Sequence, residues 1–284
     1  MKNNCLFIII FIFVMIVFFI WQNNSVVVSK YEYKNSKLSI NFNGFKILHI
    51  SDLHNKNFHG SLYKKIKDIN PDIIVITGDL IDRRRTRIDI AVEFVKQIIN
   101  IAPVYYVSGN HEQLSASYDE LKEELTKLDV HILDNSHLIL NHDGERIGIM
   151  GLADPALIYT EGNNDNNRNR VYAENNLKRL YENSVAEFNI LLSHRPELIE
   201  VYKNINIDLV FSGHAHGGQI RIPFIGGILS PNQGFLPKYS EGMITEDNTT
   251  LVVSRGLGNS VFPIRIFNRP ELIVVELNGE VIKH

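Results

Sequence analysis

Asp52 and His54 one residue apart, Asp79 behind Gly78, Asn110 and His111 behind Gly109, His194 behind Ser193, and His214 and His216 on either side of Ala215 are the residues with which this 284-residue chain could do chemistry. They offer carboxylate and amide oxygens and imidazole nitrogens, with no sulfur. That donor set suits borderline-hard divalent ions such as Mn, Fe or Zn, whereas Mg would want more oxygen. Two such ions, about 3.5 to 4 Å apart, polarise a phosphoryl oxygen, generate hydroxide near neutral pH and clamp the attacking and leaving oxygens of a displacement. A bridging carboxylate is then needed, and Asp79, at the middle strand end, is the natural candidate.

Each motif alone is weak. An Asp-x-His after a strand often pairs a turn residue with a surface histidine, and histidines at alternate positions fit one buried and one exposed residue of a strand. Their weight comes from what precedes them. Five apolar, β-rich runs end on a Ser or Thr that leads into a motif: FKILHI before Ser51, DIIVI before Thr77, PVYYV before Ser108, FNILL before Ser193 and IDLVF before Ser212. Such runs predict buried strands. Between them, residues 86–101 place Ile88, Val92, Val95 and Ile99 on one helical face, and residues 118–128 do so with Leu121, Leu125 and Leu128. Strands alternating with helices predict an α/β fold, in which ligands bind beyond the carboxyl ends of the strands. The glycines before Asp79, Asn110 and His214 permit the tight turns this requires. Asp143-Gly144 and Asn278-Gly279, flanked by alternating apolar positions, predict two hairpins that extend the parallel set with antiparallel strands. The Asn-rich stretch 162–169 predicts a surface loop.

The composition, 44% hydrophobic and 21% charged, suffices for one folded domain, expected over residues 41–284. A net charge of -3 and a pI near 6.4 exclude a broad basic surface, so no nucleic-acid partner is expected. The single cysteine, Cys5, excludes an intrachain disulfide or a thiolate cluster. Behind a short tail at residues 1–4, residues 5–21 are apolar without exception and end on Trp21, which predicts one membrane-spanning anchor with an interfacial tryptophan. A cleaved signal segment is the rival, with Val27 and Ser29 as small residues before a cut; a buried core helix would need a polar face that this run lacks. Residues 22–40 read as a polar linker. Lys30, Lys34 and Lys37 after the span outnumber Lys2 before it, which favours a cytoplasmic domain by lysine count, but long domains translocate regardless of charge, so the side stays open.

In this order the motifs Asp52-Leu53-His54, Gly78-Asp79-Leu80-Ile81-Asp82, Gly109-Asn110-His111-Glu112, Ser193-His194 and Gly213-His214-Ala215-His216 resemble the calcineurin-like metallophosphoesterase superfamily, and within it a membrane-associated bacterial phosphodiesterase branch. The likeness extends from Phe45 to Asn268-Arg269-Pro270-Glu271. It implies two mixed β-sheets in a sandwich flanked by helices. It also implies two divalent ions, one held by Asp52, His54, Asp79 and His216, the other by Asp79, Asn110, His194 and His214. His111 would be a catalytic histidine that binds no metal, and Asp82 would orient it by a hydrogen bond. The implied activity is hydrolysis of a phosphodiester or pyrophosphate, on substrates that in this branch include lipid- and nucleotide-linked ones. A phosphomonoesterase and a protein phosphatase are alternatives. Asp82-Arg83 and Glu112 hint at the latter, but Ser108 stands where such relatives carry an arginine. A metal-free scaffold is a third alternative, opposed by the presence of every ligand. Arg83, with Arg84, Arg85 and Arg87, is either a solvated helix start or a phosphate clamp, which makes Arg83 the candidate substrate-binding residue. Residues 219–243, rich in Gly, Pro and apolar side chains, either close the sandwich edge or form a lip that meets an acyl chain or the bilayer.

Overall fold

The computed structural model describes residues 2–158, 166–259 and 262–279. Sheet one runs in the order β1 (Val27–Asn35), β16 (Glu271–Gly279), β2 (Phe45–Ile50), β3 (Ile73–Thr77), β4 (Val104–Val107), β5 (His131–Ile132). Sheet two runs β14 (Gly242–Glu246), β15 (Thr249–Val253), β9 (Leu209–Ser212), β8 (Asn189–Ser193), β7 (Glu145–Leu152), β6 (Ser136–His142). Both sheets are mixed. In the first, β16 and β2 pair antiparallel while β2, β3, β4 and β5 run parallel. In the second, β7, β8, β9 and β15 run parallel between the antiparallel β6 and β14.

The continuous apolar character of the central strands follows from burial on both faces. In β2, Phe45 and Ile47 point between the sheets, where they meet Ile149, Ile190, Leu192 and Phe211 of sheet two. Leu48 and Ile50 point outward, onto the apolar stripes of α2 (Ser61–Ile69), α3 (Ile88–Ile98) and α5 (Tyr118–Lys127). On the far side α6 (Asn166–Glu182) and α7 (Ile199–Asn204) cover Met150, Leu191 and Val210 with Leu177, Leu180 and Tyr202. The result is an αββα sandwich. Full burial of each such side chain contributes about 1.5–3 kcal/mol, so Val95→Asp on the buried face of α3 would undo the layer it holds. The four-residue α4 (Asn110–Gln113) starts directly behind Gly109.

The hairpin expected at Asp143-Gly144 joins β6 to β7, with φ of 47° and 82° at its two central residues. At Asn278-Gly279 the strand β16 runs straight through both residues, and any partner beyond them lies outside the described residues. In the loop expected at 162–169, residues from Asn166 onward form the first turn of α6, with Asn169 buried; residues 162–165 lie outside the described ones.

One expectation needs correction. Residues 22–40 are not a linker. The helix α1 (Lys2–Asn24) continues three residues past Trp21, and β1 begins at Val27, pairing in parallel with β16 along its whole length. Lysines at positions 30 and 34 gave the segment its polar look, yet they alternate with Tyr31 and Tyr33, which turn onto the inter-sheet core while Lys30, Glu32 and Lys34 face solvent. The folded unit therefore includes residues from 27 onward. In α1, the 19-residue stretch Leu6–Asn24 reaches a mean hydropathy of 2.6 over 18 of its residues and is long and apolar enough to cross a membrane.

Residues 219–243 carry two small ribbons, β10 (Arg221–Ile222) with β11 (Gly226–Gly227), and β12 (Leu229–Ser230) with β13 (Gly234–Phe235). Phe224, Ile225, Leu229, Phe235 and Leu236 on them are exposed.

Candidate metal centre

The carboxyl ends of β2, β3 and β4 in one sheet and of β8 and β9 in the other open onto the same edge of the sandwich, and the loops there carry every candidate ligand. Asp52, His54, Asp79, His194, His214 and His216 are all buried, and Asn110 is half-buried. Their donor atoms converge. His216 Nε2 stands 3.1 Å from His54 Nε2 and 3.3 Å from Asp52 Oδ1. On the other side His194 Nε2 stands 3.2 Å from Asn110 Oδ1 and 3.2 Å from His214 Nδ1. Between the two groups, Asp79 Oδ2 is 3.5 Å from His54 Nε2 and 3.3 Å from His194 Nε2.

These separations fit metal ions. Donors bound at about 2.0–2.2 Å to one ion lie roughly 3.0–3.5 Å from one another in octahedral or tetrahedral arrangements. The orientation of His194 fits as well: its Nδ1 is 2.6 Å from the carbonyl of Thr77, so Nδ1 carries the proton and Nε2 turns its lone pair inward. The donors of Asp52, His54 and His216 gather on one side and those of Asn110, His194 and His214 on the other, with Asp79 Oδ2 between them, and His111 lies within the same reach of His54 and Asp79.

The backbone is bent to reach this geometry. Asp52, His54, Asp79, His214 and His216 adopt left-handed φ of 52°, 45°, 53°, 64° and 48°. Each such residue costs about 1–2 kcal/mol, a concentration of strain that marks functional loops. The neighbouring glycines are needed for clearance. A Cβ on Gly109 would lie 2.3 Å from Asp79 Oδ1, and one on Gly213 would lie 2.3 Å from Asp52 Oδ2.

Glu112, buried in the short α4, ties two of the loops together: its carboxylate accepts the backbone N–H of Asp79 at 2.7 Å, of Gly109 at 2.8 Å and of Ile81 at 3.1 Å. Burial and the charge of Asp79 push its pKa up to about 8. A glutamate three residues into a helix, where its side chain can reach back to the N–H of the residue before the first turn, was the available signal for this role. On the opposite side Asn268 donates to the carbonyls of His216 at 2.7 Å and Gln219 at 2.9 Å, and the buried pair of Arg195 Nε with Asp154 Oδ2, at 2.7 Å, steadies the chain behind His194.

Electrostatically the cluster is poised. Burial raises the Asp52 carboxyl to about 6, although His194 opposes it. Burial also acts to raise Asp79, but the charges of His194 and His111 hold it well below the usual range. His194 is disfavoured as a cation by burial, yet Asp79 raises it to about 10, so without an ion this pair holds a proton. Burial depresses His54 to about 3 and sends His214 and His216 well down, leaving neutral imidazoles.

His111 stands beside the cluster, its ring 4.5 Å from that of His54 and edge-on to it. Its Nδ1 accepts the backbone N–H of Arg83 at 3.2 Å. The hydrogen bond expected from Asp82 is therefore replaced: Asp82 Oδ1 lies 3.5 Å from that nitrogen, and the carboxylate instead takes the backbone and guanidinium of Arg84. An Nδ1 that accepts from a main-chain donor has no proton left for Asp82. Arg83 is exposed on the rim, with no ion pair for its guanidinium among the described residues. His49, which fits none of the motifs, is buried against Phe211 and bonded to Thr77 Oγ1 at 2.8 Å, a core histidine.

Residues 45–218 match the calcineurin-like phosphoesterase family model. The uncharacterized metallophosphoesterase YkuE of Bacillus subtilis is 32% identical over 254 residues, 87% of this chain and 83% of that one. The UDP-2,3-diacylglucosamine pyrophosphatase LpxG of Chlamydia muridarum is 26% identical over 90% of this chain and 92% of its own. Among solved structures, TT1561 of Thermus thermophilus superposes with a TM-score of 0.51 at 18% identity, covering 75% of this chain and 89% of that one, and has the same fold. With a cluster of candidate metal ligands at the strand ends of this sandwich, the chain belongs to the calcineurin-like phosphoesterase family, dinuclear-metal-dependent hydrolases of phosphoester or phosphoanhydride bonds.

Proposed function

We propose that the protein is a membrane-anchored phosphodiesterase or pyrophosphatase in which Asp52, His54, Asp79 and His216 hold one divalent ion and Asp79, Asn110, His194 and His214 a second. The observation that carries this reading is the position of Asp79 Oδ2 between His54 Nε2 and His194 Nε2, at 3.5 Å and 3.3 Å, where one carboxylate serves both groups. Neutral imidazoles and carboxylates favour Mn, Fe or Zn. Such ions, when bound, supply Lewis acidity and activate water as a nucleophile at neutral pH.

The remaining steps fall to the chain's own residues. With Nδ1 of His111 occupied by the Arg83 N–H, the proton resides on Nε2, and burial lowers the pKa of the ring so that it stays neutral. His111 Nε2 then donates its hydrogen bond to the phosphoryl group and stabilises the negative charge that builds there, keeping its proton throughout. Asp82, close to Nδ1, favours the imidazolium whenever His111 charges, and the exposed guanidinium of Arg83 meets a substrate phosphate at the rim. The relation to LpxG supports an anhydride or diester whose organic part is acylated, and α1 supports action at a membrane. The protein-phosphatase alternative gains nothing from position 108: Ser108 is buried and donates its Oγ and N to Asp134, leaving no room for a cation.

The test is turnover of the purified, metal-loaded protein on a nitrophenyl diester, a nucleoside-diphosphate sugar and a nitrophenyl monoester. Diester or pyrophosphate hydrolysis should dominate; a preference for the monoester, or no turnover with two ions bound, would overturn the proposal.

A further inference from the structure

The last turns of α1 do not stand clear of the domain. Phe18, inside the apolar stretch, packs edge-on against Phe267 with ring centroids 5.7 Å apart. Three residues later the guanidinium of Arg269 lies 4.6 Å over the ring of Trp21. Above that, Asn23 Oδ1 accepts from Asn259 Nδ2 and from the backbone N–H of Arg265, both at 3.0 Å, and Lys56 Nζ donates to the Asn23 carbonyl. These contacts grade from apolar to charged along the helix axis, as a membrane boundary does: the ammonium, the guanidinium and the tryptophan mark the headgroup level. Phe267 meets the helix about 4.5 Å below Trp21, at 1.5 Å of rise per residue. It is half exposed and held at a left-handed φ of 50°.

Phe267 has exposed apolar neighbours. Ile266 bridges Ile220 and accepts the N–H of Arg221 at 3.0 Å, so Phe267 stands at the root of the β10–β11 ribbon, whose tip carries Phe224 and Ile225. Leu229, Phe235 and Leu236 extend the patch on the second ribbon, and Phe224 is fully exposed. Large apolar side chains gathered in water on adjoining ribbons mark an interaction surface. Because the surface is continuous with the point where α1 leaves its apolar stretch, the occupant indicated is the bilayer.

On the reading of α1 as a membrane anchor, we infer that the two ribbons of residues 221–236 and the Phe267 loop insert into the leaflet from which α1 emerges, as a second, monotopic membrane contact. The contact bears on the site itself. Asn268, next to Phe267, bonds the carbonyls of His216 and Gln219, which ties the inserted loop to the backbone of a metal-ligand loop. The mouth of the metal cleft then lies against lipid headgroups, and its substrate is a phosphoester or anhydride whose organic part is embedded in that leaflet.

The test uses depth-dependent fluorescence quenching. Trp21 is the only tryptophan, so full-length Trp21→Phe protein carrying either Phe224→Trp or Phe18→Trp reports from a single position. Each variant is reconstituted into vesicles of phosphatidylcholine and phosphatidylglycerol brominated on their acyl chains, after a melting profile matching the parent's has established its fold. The expected result is loss of fluorescence at position 224 comparable to that at position 18, with a blue-shifted emission. Quenching at 18 with none at 224 would leave the anchor standing and overturn the inserted surface. Blue-shifted emission at 224 without quenching would mean that a protein surface, such as a second copy of this chain, covers the patch, and would also overturn it. Quenching at neither position would remove the anchor reading and this inference with it.

Discussion

Asp79 and His111 are adjacent in space and opposite in duty, which makes them the pair to separate by mutation. Asp79→Asn replaces a shared carboxylate with a neutral amide, so both ions should be lost together; full occupancy of two ions by elemental analysis would refute the shared assignment. His111→Ala should keep both ions and lower turnover by roughly a hundredfold to a thousandfold, the usual cost of removing one hydrogen-bond donor aimed at developing charge. Loss of metal with rate would make His111 a ligand. The proton held between His194 and Asp79 gives a third expectation. Burial lowers and Asp79 raises His194, with a net rise to about 10, so near neutral pH an incoming ion must displace that proton. Calorimetry in buffers of different ionisation enthalpy should detect the release, and metal affinity should rise with pH up to about 10. The pair also sets a stability slope for the metal-free protein: the part from His194 is complete below the unfolded histidine pKa and fades as pH rises through about 10, and the part from the depressed Asp79 carboxyl is complete above the unfolded carboxyl pKa and is lost in acid. The candidate donors and their order along the chain were legible in the sequence because donor chemistry is a property of side-chain type. The source of the hydrogen bond to His111 was not. A main-chain N–H carries no sequence signature, so Arg83 took the place expected of Asp82.

At the scale of elements, the strand ends set the site and the glycines set its tolerances. Gly109→Ala would push a methyl group into Asp79 Oδ1 and into its backbone nitrogen, 2.3 Å and 2.7 Å away. Misplacing a shared ligand by even an ångström should cost on the order of a hundredfold in turnover. Gly144→Ala is the complementary case: it forces a left-handed φ, of 82°, which Gly109 at -97° does not have, but with nothing within 4 Å of the new Cβ, so it should cost about 1–2 kcal/mol of stability and leave turnover unchanged. Turnover and thermal melting of both variants separate strain from clearance. The five strands before the motifs were legible because burial on both faces writes an unbroken apolar run. β1 was not, although Tyr31 and Tyr33 alternate with charged residues as an edge strand should; its lysines suggested a linker, and only its pairing with β16 shows which way the tyrosines face.

For the molecule as a whole, β1 changes where the anchor may be cut. Removing residues 1–24 leaves Ser25, whose carbonyl accepts from Arg269 Nε at 2.9 Å, and all of β1. That protein should fold, hydrolyse a soluble diester at the parent's rate and act more slowly on the same headgroup presented in vesicles, since confinement to one surface raises effective concentration. Removing residues 1–35 strips β1 from β16 and uncovers the apolar core beneath Tyr33, and should yield aggregated protein. Soluble yield and the two rates, compared at equal metal content, check both expectations.

Between the end of α1 at Asn24 and the start of β1 at Val27 there are only Ser25 and Val26, and Val26 is buried. The joint has no slack. On the anchored reading the domain cannot swing or drift above the bilayer like a float on a line; it is fixed at one height and one bearing, as a rigid stylus is. The catalytic edge then works as a depth gauge, reaching phosphorus atoms at a single elevation over the acyl chains and passing by equally labile esters carried higher or lower.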